Sequence, residues 1–521
     1  MTDVTKASGA TYKPAEAGYF EKRSLKRTAG FWGLWGIGIA AVISGDFAGW
    51  NVGLGTTGWG GLLIATLLIA VMFFTMIFSI GEMSAAMPHT GGAYSFSRAA
   101  MGPWGGFITG LAETIEYVVT TAVIVWFSGV YADSALLALT GVSLPAPLWW
   151  AILYVAFVGL NSLGASIGFR FALIVAFISM GVILLFAVLS FANGAVDFSR
   201  LLDIAPTEGN TAFLPFGAVG ILFALPFAIW FFLGIEELPL AAEEATNPAR
   251  DIPKASVWGV ITLTFFGLLV LFLNPAVTGS AAITVSPGDG DEPLLAGFRA
   301  FLPPEAAAVL AILALIGLLA SLQGIMFAYG RNMYSLSRAG YYPKFLSLTG
   351  RKHQTPWVAL VAGAVIGYFI LVFVLIVIPS ANPEAAGTAT GVILFIAVFG
   401  AVISYMMQMV AFVILRRKFP NAKRPYKSPT GVGGAVVAGI IAFGAFLGIM
   451  LNSAFATAVI TFVVIFFVGI TLFALIGRHS LVLSPEEEYA LSGGLHGDPQ
   501  IEGYDAMEAE VFGSKKAAPE K

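Results

Sequence analysis

The sequence has no cysteine, few histidines and few charged residues, and each shortage excludes a class of protein. Without cysteine the chain forms no disulfide, no thiolate metal site and no cysteine nucleophile. Its histidines (His89, His353, His479 and His496) lie outside the apolar runs, so we expect no membrane-embedded haem or zinc centre and no cofactor. Charged residues are only 11% of the chain, far below the roughly 25% of soluble domains.

Apolar residues are what the sequence has in abundance. They make up 58% of the 521 residues, and the mean hydropathy is +0.86. These values indicate a polytopic membrane protein rather than a nucleic-acid-binding or soluble one. Twelve apolar segments are long enough to span a bilayer, and proline and glycine clusters separate them. The segments cover residues 30–57, 60–86, 103–131, 147–164, 168–193, 213–243, 254–279, 306–337, 356–378, 388–416, 432–451 and 453–477.

The basic residues favour one orientation of these spans. If residues 1–28 are cytoplasmic, all but two of the 27 Lys and Arg residues fall on the cytoplasmic side. The two exceptions are Arg200 and Arg299. Because positive charge is concentrated in cytoplasmic loops, we expect a multi-pass protein of the cytoplasmic (inner) membrane with both termini inside.

The stretch Ala40–Gly53 (AAVISGDFAGWNVG) is unusual for the interior of a membrane helix. Ser44 and Gly45 weaken a helix there, and Asp46 places a carboxylate near the middle of the bilayer, at a cost of at least a few kcal/mol. Unwound backbone is tolerated at that depth only where it lines a cavity. The stretch therefore predicts an interrupted transport helix. A structural kink with a paired Asp46 is the alternative.

The sixth segment has a similar interruption. Pro226 lies within it, and Gly234 follows the aromatic residues Trp230 and Phe231, with Glu236 next. Corresponding interruptions in segments one and six predict two inverted five-helix repeats with a transport site between them. The predicted parts of the chain are an N-terminal tail (1–28), the first repeat (29–193), the second repeat (194–416), helices 11 and 12 (417–479), and a partly disordered, solvated C-terminal tail (480–521).

The third segment contains two further acids. Glu113 and Glu116 are three residues apart and share a helix face, which Tyr117 extends. A polar stripe on a membrane helix faces the bundle interior or a water-filled path. The alternative is a protonated glutamic acid that only bonds a neighbouring helix.

With these features, the sequence resembles the amino acid–polyamine–organocation permeases over nearly all of its predicted spans. Within that family, the run SGDFAGWNVGLGTTGWGG (44–61) is most similar to bacterial ethanolamine permeases. The resemblance rests on ISGDF (43–47), GE (81–82) before PHTGGAY (88–94), WFFLGIE (230–236) leading into EATNP (244–248), and the residues from Arg331 to Pro343.

The resemblance implies an all-α fold of twelve transmembrane helices. This is the LeuT-like 5+5 inverted repeat, with helices 1 and 6 discontinuous and two further C-terminal helices, working as a secondary transporter by alternating access. Relatives hold a substrate carboxylate at the first-helix interruption, whereas Asp46 would repel one and attract an ammonium. Glu116 falls where arginine carriers line the pocket, and Trp230 aligns with their aromatic gate. The implied substrate site consists of Ile43, Ser44, Gly45, Asp46, Phe47, Glu113, Glu116, Tyr117, Trp230, Phe231 and Gly234.

These residues predict import of a small organic amine, ethanolamine, whose ammonium binds Asp46 or Glu116. An amino acid permease of the same fold, for zwitterionic or cationic amino acids or polyamines, is the alternative. A membrane enzyme or receptor is a third class, although neither intramembrane histidine nor a folded extramembrane domain supports it. Trp230, Glu236 and Glu113 are candidates for gating or proton movement. The coupled ion, a proton or sodium, stays open, as does exchange without an ion.

Overall fold

The computed structural model describes residues 5–7, 9–13, 19–285, 292–382, 389–420, 422, 424–484, 486–487 and 490. Each of the twelve predicted apolar segments contains a helix. In this described part, nine helices are long and apolar enough to cross a membrane. A tenth span results if Val219–Phe231 and Ile235–Ala241, which are bent by 42°, count as one. Two apolar helices, Phe31–Asp46 and Ala146–Ser162, are shorter, so the count of twelve stays a prediction.

The first half of the chain forms five α-helices, joined by short turns. Pro103 and the positive φ of Gly102 (79°) bend the third one near its start. The helices are α1 (Phe31–Val42), α2 (Leu54–Ala86), α3 (Gly92–Thr140), α4 (Ala146–Ser162) and α5 (Ala165–Ala192). Short 3₁₀ helices are Glu21–Arg23, Ile43–Asp46, Trp50–Gly53 and Phe198–Leu202.

The second half begins with a short α-helix, followed by 3₁₀ helices and by longer α-helices. Its α-helices are α6 (Val219–Ala228), α7 (Pro248–Thr278), α8 (Ala282–Val285), α9 (Pro293–Arg299), α10 (Pro304–Arg338), α11 (Trp357–Val372), α12 (Ile378–Ala381), α13 (Ala389–Lys418), α14 (Gly431–Leu451) and α15 (Ala456–Leu475). The remaining helices are the π-helix Phe373–Val377 and the 3₁₀ helices Ile229–Phe231, Ile235–Ala241, Lys344–Ser347, Ser453–Phe455 and Gly477–His479.

Packing places the first helix, α1, inside the bundle. The helix α3 packs along α10 and α13, while α1 lies against α5, α7 and α10. Nine consecutive residues of α1, Leu34–Val42, are buried on every side of the helix. A helix that is apolar all round in this way belongs in the core of a bundle. The core of the molecule therefore surrounds the first interruption.

A small sheet joins the two ends of the chain and was not predicted. Strands β1 (Thr5–Ala7) and β2 (Ala10–Lys13) form an antiparallel hairpin, and β3 (Leu481–Val482) pairs parallel to β2. Tyr12 lies opposite Leu481 in this register. We call the end of the bundle at which this sheet lies the terminal end.

Candidate transport site

The first interruption is held to α10 by a single serine. The Ser321 hydroxyl donates to the carbonyl oxygen of Ala40 at 2.6 Å and accepts from the backbone N–H of Ser44 at 2.8 Å. These two groups flank the point where α1 gives way to the 3₁₀ helix Ile43–Asp46. Because Ser321 satisfies backbone groups that an unbroken helix would pair internally, it compensates part of the cost of the interruption.

The two interrupted helices meet backbone to backbone. A Cβ placed on Gly45 would overlap the carbonyl oxygen of Trp230, so only glycine permits this approach. Positive φ angles at Gly49 (99°) and Gly234 (113°) turn the chain just beyond each contact. Side chains other than glycine rarely adopt such angles. The glycines thus determine where the two interruptions touch.

Asp46 lies at this junction with no partner for its charge. Its side chain is 1% exposed, and neither carboxylate oxygen has a hydrogen-bond partner in the described residues. A buried ionised carboxylate without a partner is strongly unfavourable. The position therefore suits either a bound cation or a proton on Asp46.

Aromatic rings enclose the junction. Trp50 stacks on Phe231 with ring centroids 5.6 Å apart, and Gly49 lies against the ring of Trp230. Phe47 packs against Gly317 of α10, and Phe231 against Gly267 of α7. These two phenylalanines therefore fit the surrounding helices closely, whereas the ring of Trp230 lies beside Gly49, just past the first interruption.

A second group of acids lies between α3 and the 3₁₀ helix Ile235–Ala241 of the sixth segment. We call Glu113, Glu116, Glu236 and Glu237 the acid set. All four are buried, and Glu116 and Glu236 lie close enough for their charges to interact. Both oxygens of Glu237 and one each of Glu116 and Glu236 lack a hydrogen-bond partner among the residues described.

The remaining oxygens of the acid set are bonded by neutral groups. Glu113 accepts from Tyr117 at 3.3 Å and from the Asn332 amide at 3.1 Å. Glu116 accepts from Tyr405 at 3.4 Å, and Glu236 from the backbone N–H of Gly234 at 3.0 Å. No group of three His, Cys, Asp or Glu residues in the described part of the chain is arranged to hold a metal ion. The set can hold protons or bind an organic cation.

The structure thus separates the predicted site residues into two neighbourhoods. The first neighbourhood is the first interruption, which consists of Ile43, Ser44, Gly45, Asp46 and Phe47.

Trp230 and Phe231 border that first neighbourhood, whereas Glu113, Glu116 and Tyr117 belong with the acid set. Gly234 links the two regions through its bond to Glu236. Whether these residues bind a substrate stays a prediction.

Five residues of the two neighbourhoods were missed from the sequence. Four of them contact segments distant along the chain, and no local pattern indicated them, whereas Glu237 directly follows Glu236 in the sixth apolar segment and could have been included from the sequence. The five are Trp50, Glu237, Ser321, Asn332 and Tyr405.

Acids at the terminal end are paired with arginines. Glu244 accepts two bonds from Arg331, at 2.8 and 3.1 Å, and both side chains are 0% exposed. Glu82 accepts two bonds from Arg416, at 2.5 and 2.7 Å, and lies 3.0 Å from Arg424. Bidentate contacts of this kind are the strongest form of an arginine–carboxylate ion pair.

The C-terminal tail differs from the prediction at Glu486 and Glu487, which are buried rather than solvated. Glu487 accepts from Arg98, Tyr12 and Tyr94 at 2.6 Å each, and from Tyr341 at 2.9 Å. This density of donors makes burial of the carboxylate tolerable. Residues 491–521 lie outside the described part of the chain.

Glu486 bonds residues of α10 at the terminal end. Its carboxylate accepts from Ser335 at 2.8 Å and from Arg338 at 2.5 Å. Burial alone would raise the pKa of Glu486, but the charge of the Arg338 guanidinium, together with that of His89, outweighs burial and lowers that pKa to about 2. The tail residue is therefore held as an anion that closes this end of the bundle.

Comparisons with known proteins identify the family of the chain and solved structures of similar fold. Over 480 residues the chain is 26% identical to the branched-chain amino acid permease BcaP of Bacillus subtilis, covering 88% of this chain and 94% of that protein. It is 26% identical to the gamma-aminobutyric acid permease of the same bacterium, over 64% and 70% of the two chains. A crystal structure of a mutant of the Eremococcus coleocola manganese transporter superposes with a TM-score of 0.53 at 16% identity, covering 89% and 98%.

The likeness to the manganese transporter confirms the all-helical transporter fold and carries nothing about the cargo. The profile of the amino acid permease family matches residues 33–481, nearly the whole membrane bundle. The chain belongs to the amino acid permease family and is a multi-pass membrane transporter.

Proposed function

We propose that this transporter carries a small amino compound whose ammonium group binds Asp46. The observation that supports the proposal is the carboxylate itself, buried at the junction of two interrupted helices with both oxygens unpartnered among the described residues. An ammonium would supply the missing positive charge and hydrogen-bond donors. The aromatic face of Trp230 would add a cation–π contact beside it.

Amino acids are the first candidate substrates. The chain belongs to the amino acid permease family, and its relatives include permeases named for branched-chain amino acids and for gamma-aminobutyric acid. The substrate's own carboxylate would have to lie away from Asp46, because two carboxylates in a poorly screened site repel each other. An amino acid with its two charged groups well separated would meet this condition.

Ethanolamine is the second candidate, and Asp46 is the observation that favours it. This amine has an ammonium for Asp46 and a hydroxyl for a polar neighbour such as Ser44, but no acid group to be repelled. The resemblance of residues 44–61 to ethanolamine permeases points the same way.

Transport by alternating access would use the two inverted repeats within a twelve-span bundle. We place the terminal end in the cytoplasm, because the Lys and Arg distribution favours that orientation. The ion pairs of Glu244 and Glu487 would then close the cytoplasmic side, and Trp230 would act as a gate next to the substrate.

A proton is the coupling ion that the acid set favours. Glu116 and Glu236 interact without a cation between them, and two such carboxyl groups tend to share one proton. Glu236 belongs to the interrupted sixth segment and Glu116 to α3, so movement between these elements would change the affinity for that proton. Glu113 is a further candidate, with its oxygens bonded to Tyr117 and Asn332.

Uptake into proteoliposomes tests the proposal. Labelled ethanolamine, alanine, leucine and gamma-aminobutyric acid are each offered with an imposed proton gradient and, separately, a sodium gradient. Saturable uptake of an amino acid driven by protons would support the first candidate, and uptake of ethanolamine alone the second. A compound without an amino group that is transported equally well by wild type and Asp46→Asn would contradict both.

A further inference from the structure

A cleft of about 500 Å³ opens at the terminal end beside the outer surface of the bundle. Its walls come from the end of α2, the first turns of α7 and the segment that joins α13 to α14. The residues used below are Phe78 from α2, Arg250, Lys254 and Trp258 from α7, and Tyr426 from the joining segment. The cleft lies apart from the junction of interrupted helices and contains none of the residues proposed for transport.

Two cations line this cleft without a carboxylate partner. Arg250 and Lys254 are four residues apart, on one face of α7, and both are exposed. The Arg250 guanidinium makes no hydrogen bond or ion pair with the described residues, and the Lys254 ammonium contacts only the ring of Phe31, 4.6 Å away. By contrast, the buried residues Arg98, Arg331 and Arg338 at this end are each paired with an acid. The cleft is therefore a positively charged site open to an anion.

An exposed apolar stripe continues from the two cations along α7. Trp258 is 52% exposed, Ile261 42% and Phe265 56%. Spacings of four, four, three and four residues from Arg250 to Phe265 keep all five side chains on one helix face. Tryptophan at the boundary between charged and apolar residues is typical of the level of lipid headgroups.

The neighbouring helix α2 supplies a matching apolar surface. Phe78 lines the cleft, and Val71 and Leu67, seven and eleven residues before it, are each 48% exposed. Since α2 and α7 pack side by side, the two exposed stripes run together from the cleft toward the middle of the bundle. A ligand with a charged head and long apolar chains would contact both.

We propose that this cleft binds an anionic phospholipid, with the phosphate between Arg250 and Lys254 and the acyl chains along α7 and α2. Basic pockets between transmembrane helices commonly bind such headgroups. A lipid with net negative charge is favoured over a zwitterionic one, since an ammonium headgroup would approach two unpaired cations. The proposal does not depend on which substrate is transported.

Lipid titration followed by native mass spectrometry tests the proposal on the purified full chain in neutral detergent. The probes are phosphatidylglycerol, phosphatidylcholine with the same acyl chains, and inorganic phosphate. We expect wild type to bind one phosphatidylglycerol in preference to phosphatidylcholine. The double variant Arg250→Gln/Lys254→Gln should bind it about 30-fold more weakly, because each cation contributes about 1 kcal/mol near an anionic surface.

Two control variants separate this site from general surface charge. Arg351→Gln/Lys352→Gln removes two exposed cations from the connection between α10 and α11 and should leave lipid binding unchanged. The charge-preserving pair Arg250→Lys/Lys254→Arg should retain binding, and all variants should melt within a few degrees of wild type. Equal binding of the two lipids, or equal weakening by the control pair, would overturn the proposal. If inorganic phosphate displaces phosphatidylglycerol at concentrations similar to those of the lipid, the cleft is a site for free anions instead, and the proposal is also overturned.

Discussion

Buried acids occur in two regions of this protein, and their surroundings are opposite. At the terminal end, Glu82, Glu244 and Glu487 each accept two or more charged or phenolic hydrogen bonds. Around the interrupted helices, Asp46 and Glu237 have no partner for any carboxylate oxygen in the described residues. The two groups are equally shielded from water, so burial does not distinguish them.

The two regions differ in whether their carboxylates are available to bind a cation or a proton. The charge of a carboxylate paired with arginine is already compensated, and removing that partner leaves a buried charge behind. An unpartnered carboxylate is already unfavourable in the empty protein, so a cation or proton that binds it relieves that cost. The terminal end therefore suits closure of the bundle, whereas the interior suits reversible binding. Variants that break this distinction are the most informative ones.

Asp46→Asn should have the largest effect on transport. If Asp46 binds the ammonium, loss of its charge removes about 3 kcal/mol of binding, or about 100-fold in uptake efficiency. The melting temperature should stay the same or rise, because the substitution removes an unpartnered charge. Initial uptake rates over a range of substrate concentrations, with protein amounts matched, provide the measurement.

Asp133→Asn is the matched control for that variant. Asp133 lies near the end of α3, where its carboxylate accepts from the backbone N–H of Leu144 and from the Trp149 indole. Uptake by this control should stay within about twofold of wild type, since the residue lies outside the proposed site. Near-normal substrate affinity in Asp46→Asn would remove Asp46 from that site.

A thermodynamic cycle on Arg331 and Glu244 should show the largest effect on stability. Arg331→Leu strands Glu244 as a buried charge and should cost about 3–5 kcal/mol of folding free energy. The double variant Arg331→Leu/Glu244→Leu removes both charges and should recover most of that loss. Chemical unfolding in detergent measures each corner of the cycle. If the single and double variants are equally unstable, the pair does not interact as the geometry indicates.

A direct comparison of the two regions pairs Glu116→Gln with Glu82→Gln. Glu116 has one free oxygen and a long bond to Tyr405, so the substitution should weaken substrate or proton binding about tenfold, equal to about 1.4 kcal/mol. Glu82 is bonded by Arg416 and by the backbone N–H of Ser428, so its loss should lower the melting temperature instead. The reverse order would mean that the pocket lies elsewhere. Uptake affinity and thermal melting are measured on the same preparations.

Local sequence predicted one of these regions much better than the other. Ser44, Gly45 and Asp46 interrupt an apolar run, so their unusual position is visible without any structure. Helical spacing likewise placed Glu113 and Glu116 on one face. The sequence does not show which helix lies against the face of α3 that carries these two glutamates. The substrate-binding role of the site residues therefore stays a prediction.

The terminal end could not be predicted, because its contacts join distant segments. Glu486 and Arg338 are 148 residues apart, and three consecutive glutamates in a polar tail are typical of a solvated segment. Only the fold brings α10 and the N-terminal strand β2 within reach of that tail. Long-range ion pairs leave no periodic signal in the chain, unlike apolar faces or helix interruptions.

Stability at the terminal end should also depend on pH in the acid range. Arg338, together with His89, lowers the pKa of Glu486 to about 2 in the folded protein, whereas an unfolded glutamate titrates near about 4.3. The ion pair therefore stabilises the fold fully above that unfolded value, and its contribution declines as the pH falls from about 4.3 toward about 2. Wild type should lose melting temperature faster over this interval than Glu486→Gln, which has no charge to lose. Parallel curves for the two proteins would show that Glu486 does not close the bundle as an anion, and the contrast with the interior acids would then rest on Glu82, Glu244 and Glu487 alone.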